Sequence, residues 1–203
     1  MTNPIYMNGE DRLNNFSIDQ FLEKLIEAIT KVEHQYFLVK TTNEPNGIVR
    51  ERTFCYELYH QFRKATEDDQ YQFIFHGELD KRGHLEIAEH NRKIPDFLAH
   101  KPGSFEQNEV IIEVKGKISL QDIRLDFKKI HAFLSEVHYQ YGVFLLFNHT
   151  FGELKRVMQP EFIQEFNPDK DSVFYIICAN TADGEVTLHD LSCLREGFHA
   201  PRE

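Results

Sequence analysis

Ile94-Pro95-Asp96-Phe97-Leu98 and Val110-Ile111-Ile112-Glu113-Val114-Lys115, joined through a polar connection that includes Lys101-Pro102-Gly103-Ser104, decide how this chain is read. Successive side chains of a strand point to opposite faces. Glu113 and Lys115 therefore share one face, while Val110, Ile112 and Val114 form an apolar face suited to a core. Asp96 is in phase with Ile94 and Leu98, and a hairpin register exists that sets it beside Glu113. Two carboxylates held together repel unless a cation lies between them. The residues thus point first to a hard, oxygen-preferring divalent metal.

Downstream, Gly116 ends the strand and Ser119 with Asp122 caps a helix. Ile123, Phe127, Ile130, Leu134 and Val137 carry that helix to about His138. Val143-Phe144-Leu145-Leu146-Phe147 is a continuous apolar run, as in a strand buried on both faces. Strand, helix and strand of this kind predict a right-handed crossover to a parallel neighbour.

Upstream, Phe54, Leu58, Gln61 and Phe62 share one face of a helix predicted over Glu51 to Lys64, with Glu57 at the margin of the stripe. A carboxylate there is partly desolvated unless something pairs with it, and Gln61 and His60 are its near neighbours on the helix. Tyr71, Phe73 and Phe75 alternate with Gln72, Ile74 and His76 in a strand ending at Gly77-Glu78-Leu79-Asp80, and Leu85 and Ile87 begin an ascending strand that resumes at Ile94. Glu78 and Asp80 read as solvated turn acids, and His60 as a surface histidine.

Towards the termini, residues 1 to 15 read as a polar arm. Ser17 with Gln20 forms a capping box, Phe16 against Phe21 a hydrophobic staple, and the helix they open runs to about His34. Phe151 to Phe166 is helical in pieces, broken at Pro160. Val173 to Cys178 is a strand, and Glu185 to Leu188 its hairpin partner across Asp183-Gly184.

Composition narrows the class. The chain has 203 residues, 41% apolar and 28% charged, with eighteen Phe and no Trp, which describes one ordinary globular domain with a Phe-built core. Cys55, Cys178 and Cys193 are scattered and signal neither a disulfide framework nor a thiolate zinc site. No apolar run spans a bilayer and no secretory signal opens the chain, so a cytoplasmic protein is expected. The formal charge of −10 opposes autonomous nucleic-acid binding, although a local patch can oppose the global sign. Such a patch runs from Lys115 to His131, where Lys115, Lys117, Arg124, Lys128 and Lys129 outnumber Asp122 and Asp126. No HExxH, Walker or GxGxxG motif occurs.

The order helix, strand, strand, strand, helix, strand, with Pro95-Asp96 and, seventeen positions on from Asp96, Glu113-Val114-Lys115, resembles the PD-(D/E)XK nuclease superfamily. The resemblance covers residues 51–147. It implies an α/β, restriction-endonuclease-like αβββαβ core with a mixed central sheet flanked by helices, an N-terminal helical extension over 1–50 and a C-terminal β elaboration over 148–203, all in one domain. It further implies a nuclease using Mg²⁺ or Mn²⁺ and leaving a 5′-phosphate and a 3′-hydroxyl. Asp96, Glu113 and the Val114 carbonyl would hold the metal, with Glu57 as the upstream helix acid, ligating directly or through water. Lys115 would orient the attacking water or stabilise the crowded phosphorus, and Lys117, Arg124 and Lys128 would lie along a phosphate backbone.

DNA is the expected substrate, and RNA shares every residue in the argument. The acidic balance suggests a homodimer or a partner protein that supplies target recognition. The alternative is a catalytically silent nuclease-like module that binds or regulates within a larger nucleic-acid-processing or defence assembly.

Overall fold

In the computed structural model the described residues are 16–69, 73–78, 94–101, 107–158, 166, 173–181 and 184–195. The expected strand near Leu85 and Ile87, the N-terminal arm, Asp80 and the Pro160 break lie outside them.

Ser17 accepts the Gln20 N–H at 3.4 Å and opens α1 (Ile18–Lys31), while the Phe16 and Phe21 rings pack in a tilted pair at the entry with centroids 5.8 Å apart. The chain turns extended at Val32, so the helix expected to reach His34 ends three residues early and a separate turn, α2 (His34–Phe37), follows. Next come α3 (Glu51–Ala65), β1 (Ile74–Gly77), β2 (Phe97–His100), β3 (Asn108–Lys115), α4 (Leu120–Glu136), β4 (Tyr141–Phe147), α5 (Phe151–Val157), β5 (Val173–Ala179), β6 (Val186–Asp190) and α6 (Ser192–Arg195). Ser119 caps α4 by accepting the Asp122 N–H, as its spacing predicts.

The strands form one mixed, open six-stranded sheet in the order β1-β2-β3-β4-β5-β6. β1, β2 and β3 are an antiparallel meander, β4 and β5 run parallel to β3, and β6 closes the edge antiparallel. This is an α/β fold, with helices on both faces of the sheet.

The alternation read in β3 sorts the two cores. Val110, Ile112 and Val114 face α1 and α3, where Phe21, Leu25, Phe54, Leu58 and Phe62 are buried. Ile111 faces α4, with Ile123, Phe127 and Ile130. β4 carries residues of both clusters, which is why its run is apolar throughout. α1 packs against α3 in the first of these cores.

Gly116 lets three elements meet just past β3. A Cβ there would stand 2.3 Å from Val49 Cγ1 and 2.4 Å from the Phe147 ring. Phe147 is itself stacked on Phe54 of α3, with centroids 4.1 Å apart. The absence of a side chain at Gly116 thus brings the first turn of α3 against the end of β3. No helix among the described residues is long and apolar enough to cross a membrane.

Candidate active site

The last registered pair of the β2–β3 hairpin is Phe97 with Ile112. One step further, Asp96 comes opposite Glu113. Parity puts both on the α4 face, because Leu98 and Ile111 belong to that core. Asp96 is fixed by the main chain, its Oδ2 accepting the Val114 N–H at 2.7 Å. The structure therefore brings together the two carboxylates that the hairpin register was expected to pair.

Glu113 is 2% exposed, and its Oε2 accepts from Lys129 Nζ of α4 at 2.5 Å. Its other oxygen, Oε1, is buried and has no hydrogen-bond partner among the described residues. Lys129 also reaches the Ile94 carbonyl at 3.4 Å, so this one ammonium bridges the approach to β2 and the end of β3.

Lys115 shares Glu113's face and turns towards two further acids. Its Nζ lies 3.1 Å from Asp126 Oδ2 of α4 and 3.5 Å from Glu51 Oε2, the first residue of α3. Glu51 Oε1 also accepts the Gly116 N–H at 3.0 Å. A carboxylate at a helix N-terminus is favoured by the macrodipole, which helps to seat Glu51.

Glu57, expected as the helix acid, is not brought to this cluster. Its carboxylate accepts from Gln61 Nε2 at 2.5 Å and lies 3.3 Å from His60 Nδ1. Six residues past Glu51 it is about 9 Å further along the helix and rotated by about 240°, so the two cannot serve the same spot. The upstream acid at the site is Glu51. Its signal was present in the sequence, since Glu51 heads the stripe Phe54, Cys55, Leu58 and Phe62 that α3 buries.

Asp126 and Lys129 are the other two residues that spacing did not single out as site residues. Asp126 falls in the buried stripe of Ile123, Phe127 and Ile130. A carboxylate in such a stripe needs a partner and is itself a signal.

The cationic run from Lys115 to His131 accordingly divides. Lys115 and Lys129 turn inward to carboxylates, with side chains 17% and 13% exposed, while Lys117, Arg124 and Lys128 are on the surface. Glu78 lies in an exposed turn, 2.9 Å from Arg52.

Burial is the largest influence on the titration of the cluster, and neighbouring charges modify it. Among the described residues, Asp96, Glu113, Asp126 and Glu51 gather around Lys115 and Lys129. Burial first, and the neighbouring acid Asp126, raise the Asp96 carboxyl to about 6, against the Val114 hydrogen bond and the two lysines. Glu113 is pushed well above the usual carboxylate range by burial and then by Asp96, with Lys129 opposing. Asp126 is raised by burial despite Lys115. Burial pulls the Lys115 ammonium down, but Asp126 and Glu51 outweigh it and the net shift is upward. Burial raises the Cys55 thiol, and the next contributions come from Asp96, Glu51 and Glu113, which locates the start of α3 beside the acids.

No three His, Cys, Asp or Glu side chains among the described residues converge as a ready metal cage. Magnesium is ordinarily held by one or two carboxylates and keeps several waters, so a two-carboxylate site is enough. Asp96 and Glu113 fit that requirement: both supply carboxylate oxygens, and among the described residues Glu113 Oε1 is a buried oxygen with no hydrogen-bond partner.

No protein-family model, curated protein or solved structure matches this chain.

Proposed function

We propose that this chain is a divalent-metal-dependent nuclease that hydrolyses phosphodiester bonds, with DNA as substrate and a 5′-phosphate and 3′-hydroxyl as products. The observation that carries the reading is the pairing of Asp96 with buried Glu113 on one sheet face, with one Glu113 oxygen left without a hydrogen-bond partner among the described residues. The sheet order and the sequence α3-β1-β2-β3-α4-β4 agree with the restriction-endonuclease-like core that the Asp96 and Glu113-Val114-Lys115 motif implies.

Asp96 and Glu113 would hold Mg²⁺ or Mn²⁺, with the Val114 carbonyl as a further oxygen donor. Bound there, the ion would offset charge on the phosphate oxygens and lower the pKa of a water. The protein's own groups supply the rest. Val114 N–H keeps Asp96 aimed at the site with no side chain to reorganise. Asp126 and Glu51 hold Lys115 charged at the end of β3, where its ammonium can stabilise charge developing at phosphorus. Lys117, Arg124 and Lys128 offer surface charge to neighbouring phosphates.

Cleavage of supercoiled plasmid in Mg²⁺ or Mn²⁺, with Asp96→Ala and Lys115→Ala beside the parent, tests the proposal. Nicking or linearisation by the parent, lost in both variants, is expected. Activity that persists in both would assign the cleavage to another site.

One observation favours the silent module: Lys115 and Lys129 are both engaged by carboxylates, which could serve as a purely structural charge cluster. Calorimetry separates the readings. The module predicts no Mn²⁺ binding at millimolar concentration or below.

A further inference from the structure

The cation that now neutralises Glu113 comes from the chain itself. Lys129 reaches over from α4, places Nζ 2.5 Å from Glu113 Oε2 and 3.4 Å from the Ile94 carbonyl, and so stands across the gap between the approach to Asp96 and the end of β3. It is only 13% exposed, although its neighbour Lys128 is on the surface. Glu113 Oε1, on the same carboxylate, has no partner among the described residues. Lys129 therefore covers half of the ligand that a metal would need and leaves the other half bare.

Resting on the metal-dependent reading above, we infer that Lys129 is a resident counter-ion that gives up Glu113 Oε2 when a divalent ion binds, and so sets the metal affinity of the site. Two cations cannot share one buried carboxylate at contact distance without strong repulsion in a low-dielectric environment. Lys129 has somewhere to go, because its four-carbon stem is flexible and its side chain is not fully buried, at 13% exposed. Lys115 is not the group that moves: it is tied to Asp126 and Glu51 rather than to Glu113. Glu113 is thus kept paired in the metal-free protein by a lysine outside the Glu113-Val114-Lys115 motif.

Amine labelling of the native chain, read out by peptide mass spectrometry with Mg²⁺ alone and no nucleic acid, tests this without any variant. Lys129 should label slowly in metal-free protein and several-fold faster in saturating Mg²⁺, while exposed Lys128 labels at one rate in both. A merely structural Lys129 would label equally slowly or more slowly, because bound metal stabilises the fold around it. Unchanged or slower Lys129 labelling, with Mg²⁺ binding seen in parallel calorimetry, overturns the inference and leaves the metal reading standing. No binding of Mg²⁺ or Mn²⁺ by calorimetry overturns both.

Discussion

The Val114 amide donates to Asp96 Oδ2 at 2.7 Å, so the main chain of β3, rather than another side chain, fixes the first carboxylate beside the second. A backbone donor is not lost when neighbouring side chains are changed. The acids can therefore be altered one at a time without dismantling the hairpin.

Asp96→Asn keeps an oxygen to accept the Val114 N–H and removes one of two crowded charges. The metal-free protein should gain on the order of 1–2 kcal/mol at pH 8, because a carboxyl raised to about 6 is destabilising once ionised. Metal-dependent cleavage should fall by about a hundredfold or more. Denaturant titration and plasmid cleavage measure the two effects, and their opposite signs set a functional acid apart from a structural one.

The pH dependence follows from the same group. The Asp96 carboxyl titrates near 6 in the folded chain against an ordinary 3.8, so between those values the folded state binds more protons than the unfolded state. Metal-free stability should therefore fall as pH rises from about 4 to about 6 and gain nothing from this group above that. Mn²⁺ affinity should rise over the upper part of the same window. Asp96→Asn should remove its share of the stability slope, as chemical denaturation across the range would show.

Glu51 and Glu57 separate cleanly. Glu51→Gln loses the pairing with Lys115 but can still accept the Gly116 N–H, so cleavage should drop by about tenfold or more for a stability cost of about 1 kcal/mol. Glu57→Gln, away from the cluster, should leave cleavage within about twofold of the parent. The reverse order would restore Glu57 as the helix acid.

Gly116→Ala puts a methyl group into Val49 and the Phe147 ring. Overpacking of this kind costs about 1–3 kcal/mol, and the strain falls on the stack of Phe147 with Phe54 that holds α3 against β3. A lowered Tm accompanied by weaker Mn²⁺ binding is expected from calorimetry.

The exposed cations of the site's flank act differently. Lys117→Ala, Arg124→Ala and Lys128→Ala should weaken duplex binding for all sequences alike and each reduce the salt slope by about 1 where the residue meets a phosphate, with Tm unchanged in Lys117→Ala and Lys128→Ala. Fluorescence anisotropy over a salt series reads this directly.

Much of the fold was legible because its signals are local. Ser17 and Ser119 cap the helices their spacing predicts, β3 alternates as written, and the apolar run of β4 is buried on both faces. The acid pair was legible for the same reason, since strand parity fixes which side chains share a face. What escaped was set by packing between distant elements. Whether Glu51 or Glu57 reaches the end of β3 depends on the close approach of α3 at Gly116, and no window of sequence contains that contact. Lys129 resembled its exposed neighbours until α4 was laid on the sheet, and only Asp126, a carboxylate in an apolar stripe, hinted that this helix carries part of the site.

The account stands on Asp96 and Glu113 jointly holding one divalent ion. Anomalous scattering from crystals of the protein soaked in Mn²⁺ tests that claim most directly. The account predicts a single strong peak between the Asp96 and Glu113 carboxylates, with Lys129 turned away from Glu113. A peak at another set of residues, or none while Lys129 remains on Glu113, would contradict it.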